Sequence, residues 1–280
     1  MPVSLLPLRP LPLRFGLAGC ALVLVIAGAI WWGRRDDGRL HLIVPELPGD
    51  GILIRSGGMT ALVDGGADGA ALAHWLGTEL GLAERRIDLL IQTRADETTL
   101  PGQLATVRRY TIGQALLIQP ATPHPLWTEL VRILREQRVP IRMAHTGEQV
   151  RLGSDGQAAT PIFEVLSASV TDATYELRLG SQRVLLLQSL GPAPMPPAAW
   201  RGPALGLVYP WRRTLDDPRF AGLVPTFIVF GEQPSGNAQL TMAERRLGSA
   251  TLLHEALSGQ INLAIGPDGV RVQTARRQGN

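Results

Sequence analysis

An uncharged apolar segment near the N-terminus constrains this chain more than any other feature of the sequence. It begins at Phe15, ends at Gly33 and contains 19 residues without a charge. At about 1.5 Å per residue, a helix of that length spans roughly 28 Å, close to the hydrocarbon thickness of a bilayer. Trp31 and Trp32 close the segment and two arginines follow, as is typical of a membrane interface. The pattern predicts a transmembrane helix over residues 15–33, preceded by a short N-terminal tail over 1–14.

A cleaved signal peptide and a lipoprotein signal are the alternatives to this anchor. A signal peptide has a shorter apolar stretch and ends at small residues, whereas this segment ends in the bulky sequence WWGRR. The LAGC sequence that ends at Cys20 stands at the start of the apolar run, so Cys20 is expected to be a small apolar residue inside the span. Arginines flank both ends of the span, and we expect a single-pass protein of the cell membrane with its soluble domain extracytoplasmic.

The composition excludes several classes of protein. A single cysteine rules out an intramolecular disulfide framework and any cysteine-rich zinc module. The formal net charge is only +3, and no run of one sign indicates a nucleic-acid-binding arm. The histidines lack the spacings of metal-ligand motifs, so we expect them to be satisfied or solvated; they are His41, His74, His124, His145 and His254.

Residues 40–275 predict one soluble α/β domain, joined to the span by a juxtamembrane linker over 34–39 and followed by a C-terminal tail over 276–280. Helical periodicity predicts helices over 70–80, 101–109 and 125–137, and Thr241 and Glu244 are spaced as a capping box. Short apolar runs between turn residues predict strands; these cover 41–44, 51–56, 60–66, 87–93, 115–119, 162–169, 173–180, 182–190, 204–210, 226–231 and a closing hairpin over 260–273. Two sheets packed face to face, with helices outside, accommodate this order of elements.

Several short signals occur in this order along the domain. PGDGILI supplies Gly49 and Asp50, ALVDGG supplies Asp64 and Gly65, and IDLLIQTRADETTLPG contains Thr93, Asp96 and Gly102. With these signals the chain resembles the metallo-β-lactamase fold, and most closely the domain of that fold at the C-terminus of ComEC-type DNA-uptake proteins. The resemblance covers residues 40–275 and implies a four-layer αββα sandwich. It also implies that Asp64 ends a strand beside the end of strand 87–93.

Most of the metal-binding positions of that family carry other residues here. The family's strand ends in Thr-His-x-(His/Asp)-x-Asp-His, and this chain has Arg94, Thr98 and Thr99 at three of those ligand positions. Where the family has a metal-bridging Asp after a later strand, VLLLQSL offers Ser189. Where it has His-His-Gly, LVYPWRR offers Arg212 and Arg213. The resemblance places the loops at Asp64, Asp96, Ser189 and Arg212 at one edge of the sheets.

Arg94 decides what chemistry the altered motif can support. A two-zinc hydrolase needs imidazoles and carboxylates within about 2.0–2.2 Å of each ion. An arginine is a permanent cation that cannot deprotonate to bind zinc. We therefore expect no metal cofactor and a site repacked around an ion pair between Arg94 and Asp96 or Glu97. For the ADETT sequence, the competing interpretation is a polar loop in which Thr98 or Thr99 caps the next helix.

Three functions stay open, of which we expect the first. It is a membrane-anchored, non-catalytic module, a pseudoenzyme that binds or scaffolds a protein partner; the resemblance implies a partner in a DNA-uptake or envelope complex. The second is a hydrolase of phosphoesters or nucleic acid, with an atypical zinc or manganese site at Asp64, Asp96 and Glu97. The third is a phosphate or nucleic-acid binder that uses Arg94, Arg212 and Arg213.

Overall fold

The computed structural model of the chain describes residues 37–81, 84–152, 160–187, 205–211, 223–231 and 248–276. The predicted span over 15–33, with Cys20, and the predicted capping box at Thr241 and Glu244 lie outside the described residues. None of the described helices combines the length and the hydropathy needed to cross a bilayer.

Strands predominate in the part of the chain that is described. In chain order they are β1 (Leu40–Val44), β2 (Gly51–Ser56), β3 (Met59–Asp64), β4 (Arg86–Ile91), β5 (Thr111–Leu117), β6 (Ile141–Met143), β7 (Gln149–Arg151), β8 (Ile162–Ala168), β9 (Ala173–Leu179), β10 (Gln182–Leu186), β11 (Gly206–Pro210), β12 (Phe227–Gly231), β13 (Thr251–His254), β14 (Ile261–Gly266) and β15 (Gly269–Thr274). The helices are α1 (Gly69–Glu79), α2 (Leu100–Arg109), α3 (Pro125–Glu136) and the single turn α4 (Glu255–Ser258).

The strands form two mixed sheets. The first has the order β15-β14-β1-β2-β3-β4-β5-β6, and the second has the order β13-β12-β11-β10-β9-β8-β7. In the first sheet β3 to β6 run parallel to one another, since helices α1, α2 and α3 lie in the connections that follow β3, β4 and β5. In the second sheet β10 to β13 are parallel, whereas β7 to β10 are antiparallel.

Alternate residues of the first sheet enter two different cores. Ile52 and Val63 pack between the sheets with residues such as Tyr175, whereas Leu53 and Leu62 pack under the helices with residues such as Leu72. A third apolar cluster on the second sheet includes Leu185, Tyr209 and Phe230. The described residues therefore form three layers, and the fourth layer of the expected αββα sandwich stays a prediction.

Within the described residues the predicted strands and helices are present, with corrections at their ends. The strand predicted over 60–66 ends at Asp64, where a φ of 55° breaks the extended backbone. The strand predicted over 87–93 ends at Ile91, because the backbone N–H of Thr93 donates to the side chain of Asp64 instead of to a strand. Sequence analysis missed β13, and also β6 and β7, which have three residues each and show no periodicity of their own.

Candidate functional site

The candidate site is built where parallel strands β3 and β4 end side by side. Val63 of β3 lies opposite Ile91 of β4. Just beyond this pair, the N–H of Thr93 donates to Oδ1 of Asp64 at 2.8 Å, and the Thr93 hydroxyl donates to Oδ2. Asp64 thus ends a strand beside the end of β4, as predicted.

Asp64 is held in a costly environment. Its side chain is completely buried and its φ of 55° lies in the left-handed region, which Asp tolerates better than most residues. Burial raises the pKa of Asp64 from 3.8 to about 7, against the opposing hydrogen bonds from Thr93 and the charge of Arg94. At neutral pH a fraction of the molecules therefore carries a protonated Asp64.

Glycine backbones pack directly against the ends of these strands. A Cβ on Gly102 in α2 would lie 1.6 Å from the carbonyl oxygen of Gly65, and a Cβ on Gly49 would lie 2.5 Å from the carbonyl oxygen of Thr98. The N–H of Gly102 donates to the carbonyl of Gly66 at 3.1 Å. Only glycine permits these approaches, which bring the loop at 94–99 against the turn at Asp50.

Arg94 is buried, and its side chain points toward the turn at Asp50. Its Nη2 donates to Oδ2 of Asp50 at 2.8 Å, and the two side chains are 3% and 2% exposed. The same Nη2 donates to Oγ1 of Thr98 at 2.9 Å. The buried carboxylate that faces Arg94 is therefore Asp50, 44 residues earlier in the chain.

The predicted ion pair between Arg94 and Asp96 is present as a longer, partly exposed contact, whereas the nearer partner Asp50 was not predicted and Glu97 does not pair with Arg94. Asp96 lies 3.6 Å from Nε of Arg94, but its side chain is 46% exposed. Glu97 is 84% exposed and lies 3.6 Å from His124 instead. The physical reason is local: Oδ1 of Asp96 accepts the N–H and the hydroxyl of Thr98, which closes a turn and holds the carboxylate at the surface.

The helix-capping interpretation of ADETT is correct for the position of the cap but not for its hydrogen bond. Thr99 occupies the N-cap position of α2, but its side chain makes no capping hydrogen bond. Its hydroxyl donates instead to the carbonyl of Arg94 at 2.9 Å. Thr99 therefore stabilises the loop that presents Arg94, rather than the first turn of the helix.

A buried polar cluster lies beside the ion pair and was not singled out from sequence. Asp50 and Glu255 line a cavity with room for about one water molecule, together with Gly231. His254 is fully buried and makes an edge-to-face contact with Trp211, with ring centroids 5.0 Å apart. Its Nδ1 accepts the N–H of Ala256, so His254 caps α4. The only sequence signal for this cluster is the HE pair that follows an apolar run.

Three predicted site residues, Ser189, Arg212 and Arg213, lie outside the described residues. Among those that are described, the residues of the proposed zinc or manganese site do not converge, because Asp64 is buried with Thr93 whereas Glu97 is exposed. Arg94 is buried with Asp50, so in this structure its guanidinium does not reach the surface as the phosphate-binding hypothesis requires.

The donor chemistry of the described site does not fit a metal ion. Over the described parts of the chain, no group of three His, Cys, Asp or Glu residues is arranged to hold one. Both carboxylate oxygens of Asp64 accept from Thr93, and one oxygen each of Asp50 and Asp96 accepts from Arg94 and Thr98. A divalent ion would have to displace these donors and stand next to a guanidinium.

Comparison with known proteins defines the fold. No protein-family model matches the chain, and no curated protein sequence matches it. Among solved structures, the metallo-β-lactamase fold protein YhfI from Bacillus subtilis aligns with a TM-score of 0.50 at 12% identity, over 77% of this chain and 96% of YhfI. A diphosphatase of the PhnP family aligns with a TM-score of 0.44 at 15% identity, over 80% and 98% of the two chains.

A mutant of the β-hydroxylase CmlA aligns with a TM-score of 0.49 at 15% identity. It covers 80% of this chain, which spans only 54% of the CmlA chain. At such identities the likeness concerns the fold and not the activity. Together with the two packed mixed sheets and the helices on the first of them, the alignment with YhfI shows that this protein has the metallo-β-lactamase fold.

Proposed function

We propose that this protein is a non-catalytic metallo-β-lactamase-fold module that is anchored in the cell membrane and acts in binding or scaffolding. The observation that carries the proposal is the buried ion pair between Arg94 and Asp50, with 2.8 Å between Nη2 and Oδ2. Arg94 stands at the first histidine position of the family's motif. Its guanidinium places a fixed positive charge where a metal hydrolase needs a neutral ligand.

The resemblance to ComEC-type domains implies a partner protein in a DNA-uptake or envelope complex. A scaffold needs a rigid surface and no turnover. The loop over 94–99 meets this requirement, since the hydroxyl of Thr99 and the carboxylate of Asp96 both hydrogen-bond within it. The surface offered to a partner at this edge includes the exposed side chains of Asp96, Glu97 and Thr98.

We expect no metal-dependent phosphodiester hydrolysis by the full-length chain. The measurement is the release of nitrophenol from bis(p-nitrophenyl) phosphate in the presence of zinc or manganese, with the chain in detergent. The expected rate equals that of a buffer with the same metal. Turnover that needs the metal and disappears in an Asp96→Ala variant would contradict the non-catalytic proposal and support an atypical hydrolase.

The membrane anchor has its own test. A helix of 19 uncharged residues is long enough to span a bilayer, so we expect the full chain to stay with membranes during a carbonate wash. A matched variant with Leu22→Arg and Val25→Arg puts two charges inside the span and is expected to enter the soluble fraction. Release of the unmodified chain by carbonate would refute the anchor.

A further inference from the structure

Four exposed arginines lie at the end of the first sheet where strands β4 and β5 begin, opposite the candidate site. Arg85 immediately precedes β4, Arg109 ends α2, Arg135 lies in the last turn of α3 and Arg138 follows that helix. We call these four residues the basic edge. The N–H of Thr111 donates to the carbonyl of Arg85 at 2.8 Å, which joins the starts of β4 and β5.

The neighbouring carboxylates are engaged elsewhere. Asp88 binds Arg86 and the N–H of Thr60, and Glu84 binds Arg55 and the hydroxyl of Thr60. Glu129 and Glu136 both pair with Arg132 on α3. Within the described parts of the chain, no carboxylate oxygen lies within 4.0 Å of a basic-edge guanidinium. The edge therefore presents an excess of positive charge to its surroundings.

The ends of the two helices are joined, so the four charges belong to one surface. The side chain of Gln137, next to Arg138, donates to the carbonyl of Val107 in the last turn of α2 at 2.8 Å. Burial raises the pKa of the Tyr110 hydroxyl; the nearby charges of Arg109 and Arg85 lower it and that of Glu84 raises it, so both arginines lie near this one hydroxyl.

The chain enters the domain at this same edge. His41 at the start of β1 lies opposite Arg55 of β2, and Arg55 lies opposite Thr60 at the start of β3. Since β3, β4 and β5 are parallel, their starts share the edge with Leu40. Only six residues, 34–39, separate Leu40 from the predicted membrane span, and six extended residues reach at most about 20 Å.

We propose that the basic edge binds the anionic headgroups of the membrane in which the protein is anchored. The inference rests on the anchor of the proposed function. Lys and Arg side chains near an anionic bilayer each add to membrane affinity, and their effect falls off within a Debye length. The positive charge and the point at which the chain enters the domain therefore both favour contact between the basic edge and the lipid. The opposite edge, with Asp50 and Arg94, then faces away from the bilayer and is open to a partner.

Arg138 supplies a variant that separates lipid binding from structure. It follows the C-cap of α3 with a φ of 58°, in the left-handed region where helices usually have glycine. An Arg138→Gly substitution removes one charge and relieves this strain. It is expected to raise the melting temperature while it weakens the approach of the edge to anionic lipid. If Arg138 had only a structural role, lipid binding would change in the same direction as the melting temperature.

The test uses the full chain in vesicles, with Cys20→Ala and one fluorophore on a new cysteine. Thr111→Cys labels the basic edge, and Glu97→Cys labels the opposite edge as the matched control. Energy transfer to an acceptor on the lipid surface is measured in phosphatidylcholine, with and without phosphatidylglycerol. We expect several-fold stronger transfer from position 111, an increase with phosphatidylglycerol, and loss of that increase in salt or after replacement of all four arginines by glutamate.

Each contrary result has a distinct meaning. Equal transfer from both positions, in a chain that resists carbonate, would overturn the lipid contact and leave the anchor intact. Release of the chain by carbonate would overturn the anchor instead. An Arg138→Gly variant with an unchanged response to phosphatidylglycerol would also count against the proposal. Capture of a DNA duplex by the vesicle-held chain, abolished by the four glutamates and without a lipid response, would assign the edge to nucleic acid.

Discussion

Replacement of Arg94 by methionine is expected to lower the free energy of unfolding by about 3–5 kcal/mol, as found when one member of a buried ion pair is removed. The reason is that Asp50 is 2% exposed and its Oδ2 loses a guanidinium that lies 2.8 Å away. A carboxylate that cannot reach water is costly without a partner of opposite charge. Chemical denaturation of the full chain in detergent measures the change.

Two further variants separate the pair from general effects of losing an arginine. Arg132→Met removes a surface cation that pairs with Glu129 and Glu136, and it should leave the unfolding free energy nearly unchanged. The double variant Arg94→Met with Asp50→Asn removes both charges and should recover a large part of the loss. Additive losses in the double variant would show that the two side chains do not interact energetically.

The free energy of unfolding is also expected to depend strongly on pH, because of the buried carboxyl of Asp64. Burial raises its pKa to about 7 in the folded chain, whereas the ordinary value is 3.8. Between these two pH values the folded chain holds a proton on Asp64 that the unfolded chain has released. The contribution of Asp64 to the free energy of unfolding is therefore fully present below about pH 4 and is lost as the pH rises through about 7. The shift corresponds to about 4 kcal/mol across this window.

Asp64→Asn should remove that dependence. Asparagine tolerates the left-handed backbone, can accept the N–H of Thr93 and can donate its amide to the Thr93 hydroxyl. The difference in unfolding free energy between the variant and the parent chain should therefore grow from pH 4 to pH 7. A flat difference over this range would refute the raised pKa.

Asp268 provides a control of opposite sign. Its hydrogen bond from Arg39 lowers the pKa of Asp268 to about 2, so its contribution is present above about pH 4 and is lost as the pH falls toward 2. The corresponding Asp268→Asn difference should be flat between pH 4 and pH 7.

Local patterns in the sequence were enough for most of the strands, whereas the place of Asp64 beside the end of β4 was implied by the resemblance to the metallo-β-lactamase fold. The apolar run over 87–91 is buried as a strand requires, and the Asp-Gly pair at Asp64 marks the end of a hairpin. These features depend on residues a few positions apart. The proximity of Asp64 to Thr93 then follows from parallel pairing of the two strands.

The buried partner of Arg94 could not be identified in the same way. Asp96, two residues away, was predicted as a partner and lies 3.6 Å from Nε of Arg94, but a turn that Thr98 closes holds its carboxylate partly exposed. The close approach of Gly49 to Thr98 brings Asp50 to Arg94 through the packing of two loops that are distant in sequence. The basic edge was missed for the same reason, since its arginines come from four separate places along the chain.

Calorimetric titration of the full chain with zinc and manganese shows directly whether the altered motif binds a metal ion. We expect no stoichiometric binding tighter than about micromolar, either by the parent chain or by an Arg94→His variant, because the hydroxyls of the neighbouring Thr98 and Thr99 are weak ligands for these ions. Stoichiometric binding tighter than about micromolar by the parent chain, abolished by Asp96→Ala, would contradict the proposed non-catalytic function and establish a metal site in this protein.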